Sequence, residues 1–293
     1  MTQPSAPDQR AAWPERQLSV SDHNRDAAGL LYVYPVVSRR AGGVSVGINL
    51  NPNNACNWAC VYCQVPNLTR GGPPPIDLDR LKREFTGFLG QILDGDYLAR
   101  HVPEASRRLA DVAFSGNGEP TAAVEFEAAV RIVADELTRR RLSGEVPIRV
   151  ITNGSLVHRP AVQRGLALVG AHSGEIWFKV DRATAKGIRA VNQVQDTPAR
   201  VMARLRRCAS LAPTWLQTCW FGHDGEAPSP DEAAAYLAFT QEAAEWIRGV
   251  HLYGVARPPM QPGAAHITRL PTETLEALAR QLNAAGIRVT INP

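Results

Sequence analysis

Six short runs rich in β-branched and aromatic residues, at 44–50, 111–115, 148–152, 175–181, 215–221 and 250–255, constrain this 293-residue chain more than any other feature. Each is bounded by turn residues and followed by enough sequence for a helix. Asp77 stands as a cap before Leu81, Phe85, Phe88, Leu89 and Ile92 at helical spacing, and Phe126, Val130, Val133 and Leu137 form a second stripe that Gly144 stops. A last helix over 272–285 leads to a seventh strand candidate at 287–291. Strands and helices alternating at this length make repeated βα units around a parallel sheet. A closed barrel of eight needs two more units than the chain offers. An open (β/α)6 partial barrel is therefore the better α/β reading, and periodicity leaves a doubly wound sheet as its alternative. Residues 1–30, polar and carrying Pro4, Pro7 and Pro14, read as a flexible arm ahead of one core domain over 31–293.

In sheets of this kind, ligand-handling residues sit where parallel strands run into the following loops. The loop after the first run carries Cys56, Cys60 and Cys63, spaced C-x-x-x-C-x-x-C. Three thiolates on one tight loop can each hold one iron of a cubane 4Fe–4S cluster, leaving the fourth iron open to a non-protein ligand. A structural zinc site would need a second ligand pair, and Cys208 and Cys219 stand apart from the loop and from each other. A thioredoxin-like pair of Cys60 and Cys63 leaves Cys56 without a role. A disulfide framework belongs to small secreted chains, and residues 1–16 hold no apolar signal region.

After the second run comes Gly116-Asn117-Gly118-Glu119-Pro120. Its glycines admit a close backbone approach and its carboxylate can receive an ammonium group; the plain alternative is a tight turn. Asn153, after the third run, either touches a ligand or only forms an Asn-Gly turn with Gly154. On the fourth run Lys179 and Asp181 share a face under period-two alternation, as ligand contacts or as a structural ion pair. Cys219 reads as a small buried residue in mid-strand, with hydrogen-atom donation or covalent anchoring as the sharper alternative. Cys208, in an arginine-rich helix, reads as structural.

The cysteine spacing, with the aromatic Tyr62 just before the last cysteine, resembles the radical S-adenosylmethionine (radical SAM) superfamily. The resemblance implies the partial barrel, a 4Fe–4S cluster on Cys56, Cys60 and Cys63, and S-adenosylmethionine chelated to the open iron by its amino and carboxylate groups. It implies that Gly116, Gly118 and Glu119 correspond to the family's segment at the cofactor amine, with Tyr62 beside the adenine. Asn153, Lys179 and Asp181 would complete the cofactor pocket. An electron delivered by a flavodoxin or ferredoxin would then cleave the sulfonium to a 5′-deoxyadenosyl radical.

Longer blocks, at 34–40, 47–50, 114–121, 179–181, 188–192 and 257–259, are similar to one branch of that family. The branch includes the wybutosine-type tRNA enzymes, which condense pyruvate onto N1-methylguanosine. Those enzymes carry upstream cysteines for a second cluster, whereas no cysteine precedes Cys56. The resemblance thus implies a one-cluster oxidoreductase or transferase acting on a small molecule, a peptide or tRNA. Charge does not decide among them. The net charge is +4, and all basic residues except Lys82, Lys179 and Lys186 are arginine. Clusters at Arg39-Arg40, Arg107-Arg108, Arg139-Arg140-Arg141 and 204–207 suit phosphate or plain solvated helix faces. No apolar run approaches the ~20 residues that span a bilayer, and thiolate-bound clusters suit a reducing compartment, so a cytoplasmic enzyme is expected. The alternative from another class is a non-catalytic electron-transfer or metal-binding iron–sulfur protein. Glu119, Lys179 and Asp181 turned toward one cavity favour the enzyme, because an electron carrier needs no cofactor pocket.

Overall fold

The β-branched runs form strands because their alternating side chains can pack both against covering helices and into a central lumen. The computed structural model describes residues 17–19, 28–38 and 42–292. In chain order the elements begin β1 (Val33–Ser38), β2 (Gly43–Ile48), the two-residue β3 (Ala55–Cys56) and β4 (Thr69–Arg70), α1 (Leu78–Leu93), α2 (Tyr97–His101), β5 (Leu109–Phe114), α3 (Phe126–Arg139) and β6 (Ile148–Thr152). They continue α4 (Pro160–Ala171), β7 (Glu175–Lys179), α5 (Ala185–Asn192), α6 (Pro198–Ala209), β8 (Thr214–Cys219), β9 (Gly222–His223), α7 (Pro230–Glu242), β10 (Ile247–Tyr253), β11 (Ile267–Thr268), α8 (Thr272–Ala284) and β12 (Val289–Asn292).

Eight strands make one open, curled sheet in the order β1-β2-β5-β6-β7-β8-β10-β12, the partial barrel that the βα pattern implies. All neighbours from β2 to β12 run parallel, including the seventh candidate, β12. The departure is β1, which pairs antiparallel with β2 and which the run pattern does not predict as a strand. Pro35 interrupts its β-branched run, and a proline is tolerated there because β1 is an edge strand. Several strands are also shorter than expected, and two of these changes move site residues. β7 stops at Lys179, leaving Asp181 in the following loop, and Cys219 ends β8 rather than occupying its middle.

The helices follow their apolar stripes. Asp77 caps α1 by accepting from the Arg80 N–H at 2.9 Å, and α1 buries Leu81, Phe85, Phe88, Leu89 and Ile92. α3 buries Phe126, Val130, Val133 and Leu137 against the same core. Each such side chain contributes about 1.5–3 kcal/mol through burial. Of the expected arm, Leu18 is described and is 2% exposed, its N–H donating to the His101 carbonyl at 2.8 Å. The rest of residues 1–27, apart from Gln17 and Ser19, and Arg39-Arg40 lie outside the described residues. No helix among the described residues is long and apolar enough to cross a membrane.

The lumen is closed at the strand N-terminal ends by polar side chains. Arg149 of β6 pairs with Asp111 of β5 and, at 3.2 Å, with Glu175 of β7. Glu175 also accepts from the indole N–H groups of Trp177 and Trp215, each at 3.2 Å, and both indoles pack on His251. The cavity described next lies at the other end, where the strands run into the cysteine and glycine loops.

Candidate active site

At those C-terminal ends the three cysteines of the loop meet in one cavity of about 320 Å³. All three are partly exposed, and none is in a disulfide. A different element holds each of them. Cys56 lies in β3, which pairs with β4, and its carbonyl accepts from Gly71 N–H at 3.0 Å. Cys60 is bound to the end of α5: Asn192 Nδ2 donates to its Sγ at 3.3 Å, and the neighbouring Val61 N–H donates to the Val191 carbonyl at 2.9 Å. Cys63 is tied to the loop after β10, where Met260 N–H donates to its carbonyl at 2.8 Å and Gln261 Nε2 at 3.2 Å. Burial pushes the Cys56 thiol up to about 11 and the Cys60 thiol to about 12. An electropositive partner must therefore draw off their protons before they act as thiolate ligands.

The glycine segment after β5 lies against the cysteine loop. Asn49 Oδ1 accepts from the N–H groups of Asn51 and Asn117, and Asn51 Nδ2 donates to the Ala55 carbonyl at 2.9 Å. A Cβ on Gly116 would sit 2.4 Å from Asn49 Oδ1, and one on Gly118 would sit 2.2 Å from the Ala55 carbonyl oxygen. The glycines are thus required first by the packing of two loops, a reason different from the ligand approach expected from sequence. Both also line the cavity. Asn117 Oδ1, in the same wall, is buried and accepts no hydrogen bond among the described residues.

Glu119 is 3% exposed and borders the cavity. Its Oε1 accepts from Thr121 N–H, Thr121 Oγ1 and Thr152 Oγ1, at 3.2, 2.5 and 2.6 Å. Among the described residues its Oε2 accepts only from Asn153 N–H, at 2.7 Å. Burial raises its pKa, against the lowering effect of these donors. Among the described residues no lysine or arginine pairs with it. A carboxylate offers about four lone-pair sites, so Oε1 is saturated and Oε2 retains one acceptor position. Asn153 lines the cavity too, but its side chain serves the protein: Nδ2 donates to Asn57 Oδ1 at 3.0 Å, and Oδ1 accepts from Ser155.

Lys179 lines the cavity too, with Nζ 2.6 Å from Tyr253 Oη and 3.3 Å from Asp181 Oδ1. Burial alone would lower its pKa; the Asp181 carboxylate and Tyr253 outweigh it and hold the ammonium above its ordinary value. Asp181 is 1% exposed and does not line the cavity. Its oxygens accept from Tyr62 Oη at 2.7 Å, Asn192 Nδ2 at 2.8 Å and Cys219 N–H at 2.9 Å. Asp181 is therefore the hub beneath Tyr62 and Lys179, and Asn192 links it to Cys60. Tyr62 packs against Phe221 and lies under Lys179 Nζ, 4.9 Å from its ring centroid. Cys219 is 1% exposed and borders the cavity, whereas Cys208 is buried in α6 within the main core.

Residues 50–219, more than half of the chain, match the sequence profile of the Radical SAM superfamily. The chain belongs to the radical SAM superfamily. Membership implies a 4Fe–4S cluster and S-adenosylmethionine. The donor set suits both groups: three cysteines converge on one cavity, whose wall also holds a buried carboxylate without a counter-charge and an amide oxygen without a donor.

A UPF0026 protein of Methanocaldococcus jannaschii is 30% identical over 164 residues, 54% of this chain and 43% of its own length. The chain spans less than half the length of the sequence relatives it matches. A radical SAM methyltransferase from Sphaerobacter thermophilus superposes with a TM-score of 0.56 at 16% identity, over 89% of this chain and 68% of that one. The protein anSMEcpe, solved with bound AdoMet, gives a TM-score of 0.51 at 15% identity, over 84% and 62%. At these identities the two structures speak to the fold alone, and they agree with the partial barrel.

The sequence pattern does not single out Asn57, Asn192, Tyr253 or Gln217, the last of which also lines the cavity. Asn192 has one usable signal, since it follows Val191 at the end of the apolar-periodic run 188–192. Period-two alternation from Cys219 would have turned Gln217 inward.

Proposed function

We propose that this radical SAM protein is a one-cluster enzyme that cleaves S-adenosylmethionine reductively and starts radical chemistry on a substrate entering at the strand C-terminal ends. In this reading Cys56, Cys60 and Cys63 hold the cluster, which supplies the electron for cleavage once a flavodoxin or ferredoxin has reduced it. Oε2 of Glu119 receives the cofactor ammonium. Gly116 and Gly118 shape that wall, and Asn153 positions Glu119 through its backbone N–H. Lys179 offers a cation to the cofactor carboxylate in the cavity, and Asp181 keeps Lys179 charged and Tyr62 oriented. The closed polar floor and the aromatic wall of Tyr62, Phe221 and Tyr253 exclude water from the reacting end.

The single observation that carries this reading is Glu119. A buried, cavity-facing carboxylate lacking a cationic partner is costly in the free protein, and an ammonium ligand removes that cost. A passive electron carrier has no use for it. The test is anaerobic incubation of cluster-loaded protein with S-adenosylmethionine and dithionite, followed by quantification of 5′-deoxyadenosine and methionine. Cluster-dependent formation of both is expected. An intact, reducible cluster that yields neither would leave the electron-transfer reading in possession.

A further inference from the structure

Beyond the sheet, the exits of β8 and β10 pair as a small antiparallel ribbon, β9 with β11, in the register Ile267 to His223 and Thr268 to Gly222. Ile267 packs toward Cys219 and Phe221, in the apolar cluster that includes Tyr62, Tyr253 and Val255. The exposed side of the ribbon carries His223, Asp224 and His266. Nδ1 of His266 lies 2.6 Å from Asp224 Oδ1, and Nδ1 of His223 lies 3.1 Å from Asp224 Oδ2. The two imidazoles stack with centroids 5.4 Å apart and planes 10° from parallel. One donor atom from each of the three residues lies within 4.8 Å of the other two.

The backbone beneath them is fixed. Asp224 N–H donates to the His266 carbonyl at 2.9 Å, His223 N–H to the Glu226 carbonyl at 2.8 Å, and Gly225 N–H to Thr268 Oγ1 at 2.9 Å. Asp224 itself adopts φ +50°, a left-handed conformation uncommon outside glycine. Its carboxylate presents one oxygen to the Nδ1 of each ring.

We propose that His223, Asp224 and His266 bind a divalent ion of the imidazole-preferring class, typified by Zn²⁺, which clips the ribbon beside the mouth of the cavity. Two imidazole nitrogens and one carboxylate oxygen are a donor set for zinc and its neighbours, whereas calcium and magnesium prefer all-oxygen shells. Ligand atoms about 2.0–2.2 Å from a tetrahedral ion stand roughly 3.3 Å apart, which small side-chain rotations of this triad reach. The ion's place is structural. It joins the segment leaving β8 to the segment leaving β10, and the latter supplies Val255, Ala256 and Arg257 to the cavity wall and holds Cys63 through Met260. A plain ion-paired network would give the same contacts and bind no metal.

The test uses untagged, cluster-loaded protein dialysed against Zn²⁺ at concentrations near that of the protein, with zinc and iron counted together. One zinc per chain is expected beyond the cluster iron. His223→Ala or His266→Ala should each weaken zinc binding by about a hundred-fold and Asp224→Asn by about ten-fold, with iron content unchanged. In the wild type alone, zinc should also raise the unfolding temperature, a readout that needs no folded variant. Absence of zinc uptake, or uptake that survives both histidine substitutions, overturns the proposal. Neither result touches the assignment of the cluster cysteines, because iron is measured in the same samples.

Discussion

Glu119 concentrates the site's energetics in one side chain, because its neighbours satisfy it without neutralising it. Replacing it by glutamine turns a charge-assisted acceptor into a neutral one and sets an amide N–H against either the threonine hydroxyls or the Asn153 N–H. Glu119→Gln should keep the cluster but weaken S-adenosylmethionine binding by about 1.5–3 kcal/mol, roughly ten-fold or more, measurable by equilibrium dialysis. The sign with pH follows from the raised pKa. As pH falls through it the carboxylate takes a proton, so cofactor affinity should drop on acidification in the wild type and stay flat in Glu119→Gln. Unchanged affinity and an unchanged pH profile would remove Glu119 from the pocket. Among the thiols, the three on the loop should each be indispensable: Cys56→Ala, Cys60→Ala and Cys63→Ala should lose the about four irons per chain that a cubane requires. Cys208→Ala should leave iron unchanged, since it lies in the core of α6. Cys219→Ala should do so too, although it shares the cavity, because the loop alone supplies three sulfurs. Cluster loss in either would mean that the ligand set is different.

At the scale of elements, three separate pieces of the barrel grip the cysteine loop: β4, the end of α5 and the loop after β10. The glycine segment wedges against it from the β5 side, so Gly118→Ala must displace Ala55 or Asn51. Overpacking of this kind costs about 1–3 kcal/mol, and the displaced atoms adjoin Cys56. Gly118→Ala should therefore lower both the unfolding temperature and the iron retained after gel filtration. Gly72→Ala, with nothing within 4 Å of its added carbon, should change neither. The same geometry explains what the sequence could reveal. Strands and helical stripes are periodic, and Cys56, Cys60 and Cys63 are neighbours in the chain, so both are local signals. Edge strand β1 was hidden by Pro35, whose missing N–H matters only in a strand paired on both sides. Asn192 touches Cys60 across 132 residues, and Asp181 meets Tyr62 across 119. Such pairings exist only once the barrel has curled, so period-two alternation leaves Asp181 as a ligand contact or as the ion partner of Lys179, and the structure shows the ion pair and no place in the cavity lining.

For the molecule as a whole, the distribution of arginine decides whether a polyanion such as tRNA is a fitting substrate. An RNA-binding rim needs guanidinium groups around the strand C-terminal ends, available to phosphates. Three clusters instead precede strands and so lie at the opposite end. Arg139 and Arg140 end α3 and pair with Glu136, and Arg140 also pairs with Asp94. Arg107 donates to the carbonyls of Val102 and Ala99, and Arg108 to that of Gly42. In α6, Arg204 pairs with Asp196 and Arg206 covers Trp246. Near the mouth, Arg70 donates to the carbonyls of Asn57 and Gln193, and Arg182 is buried against those of Asp181, Cys219 and Phe221. Most of these groups already serve the fold, and among the described arginines Arg257 alone lines the cavity. Bulk tRNA in a filter-binding titration over a salt series should accordingly bind weakly. With log K falling about 0.7–0.9 per phosphate contact per log unit of salt, the slope should correspond to fewer than about three contacts. That outcome favours a small molecule or a peptide side chain as the group presented to the cavity. Saturable binding at physiological salt, with a slope of about five contacts or more, would reverse the inference and make a tRNA base the first substrate to test.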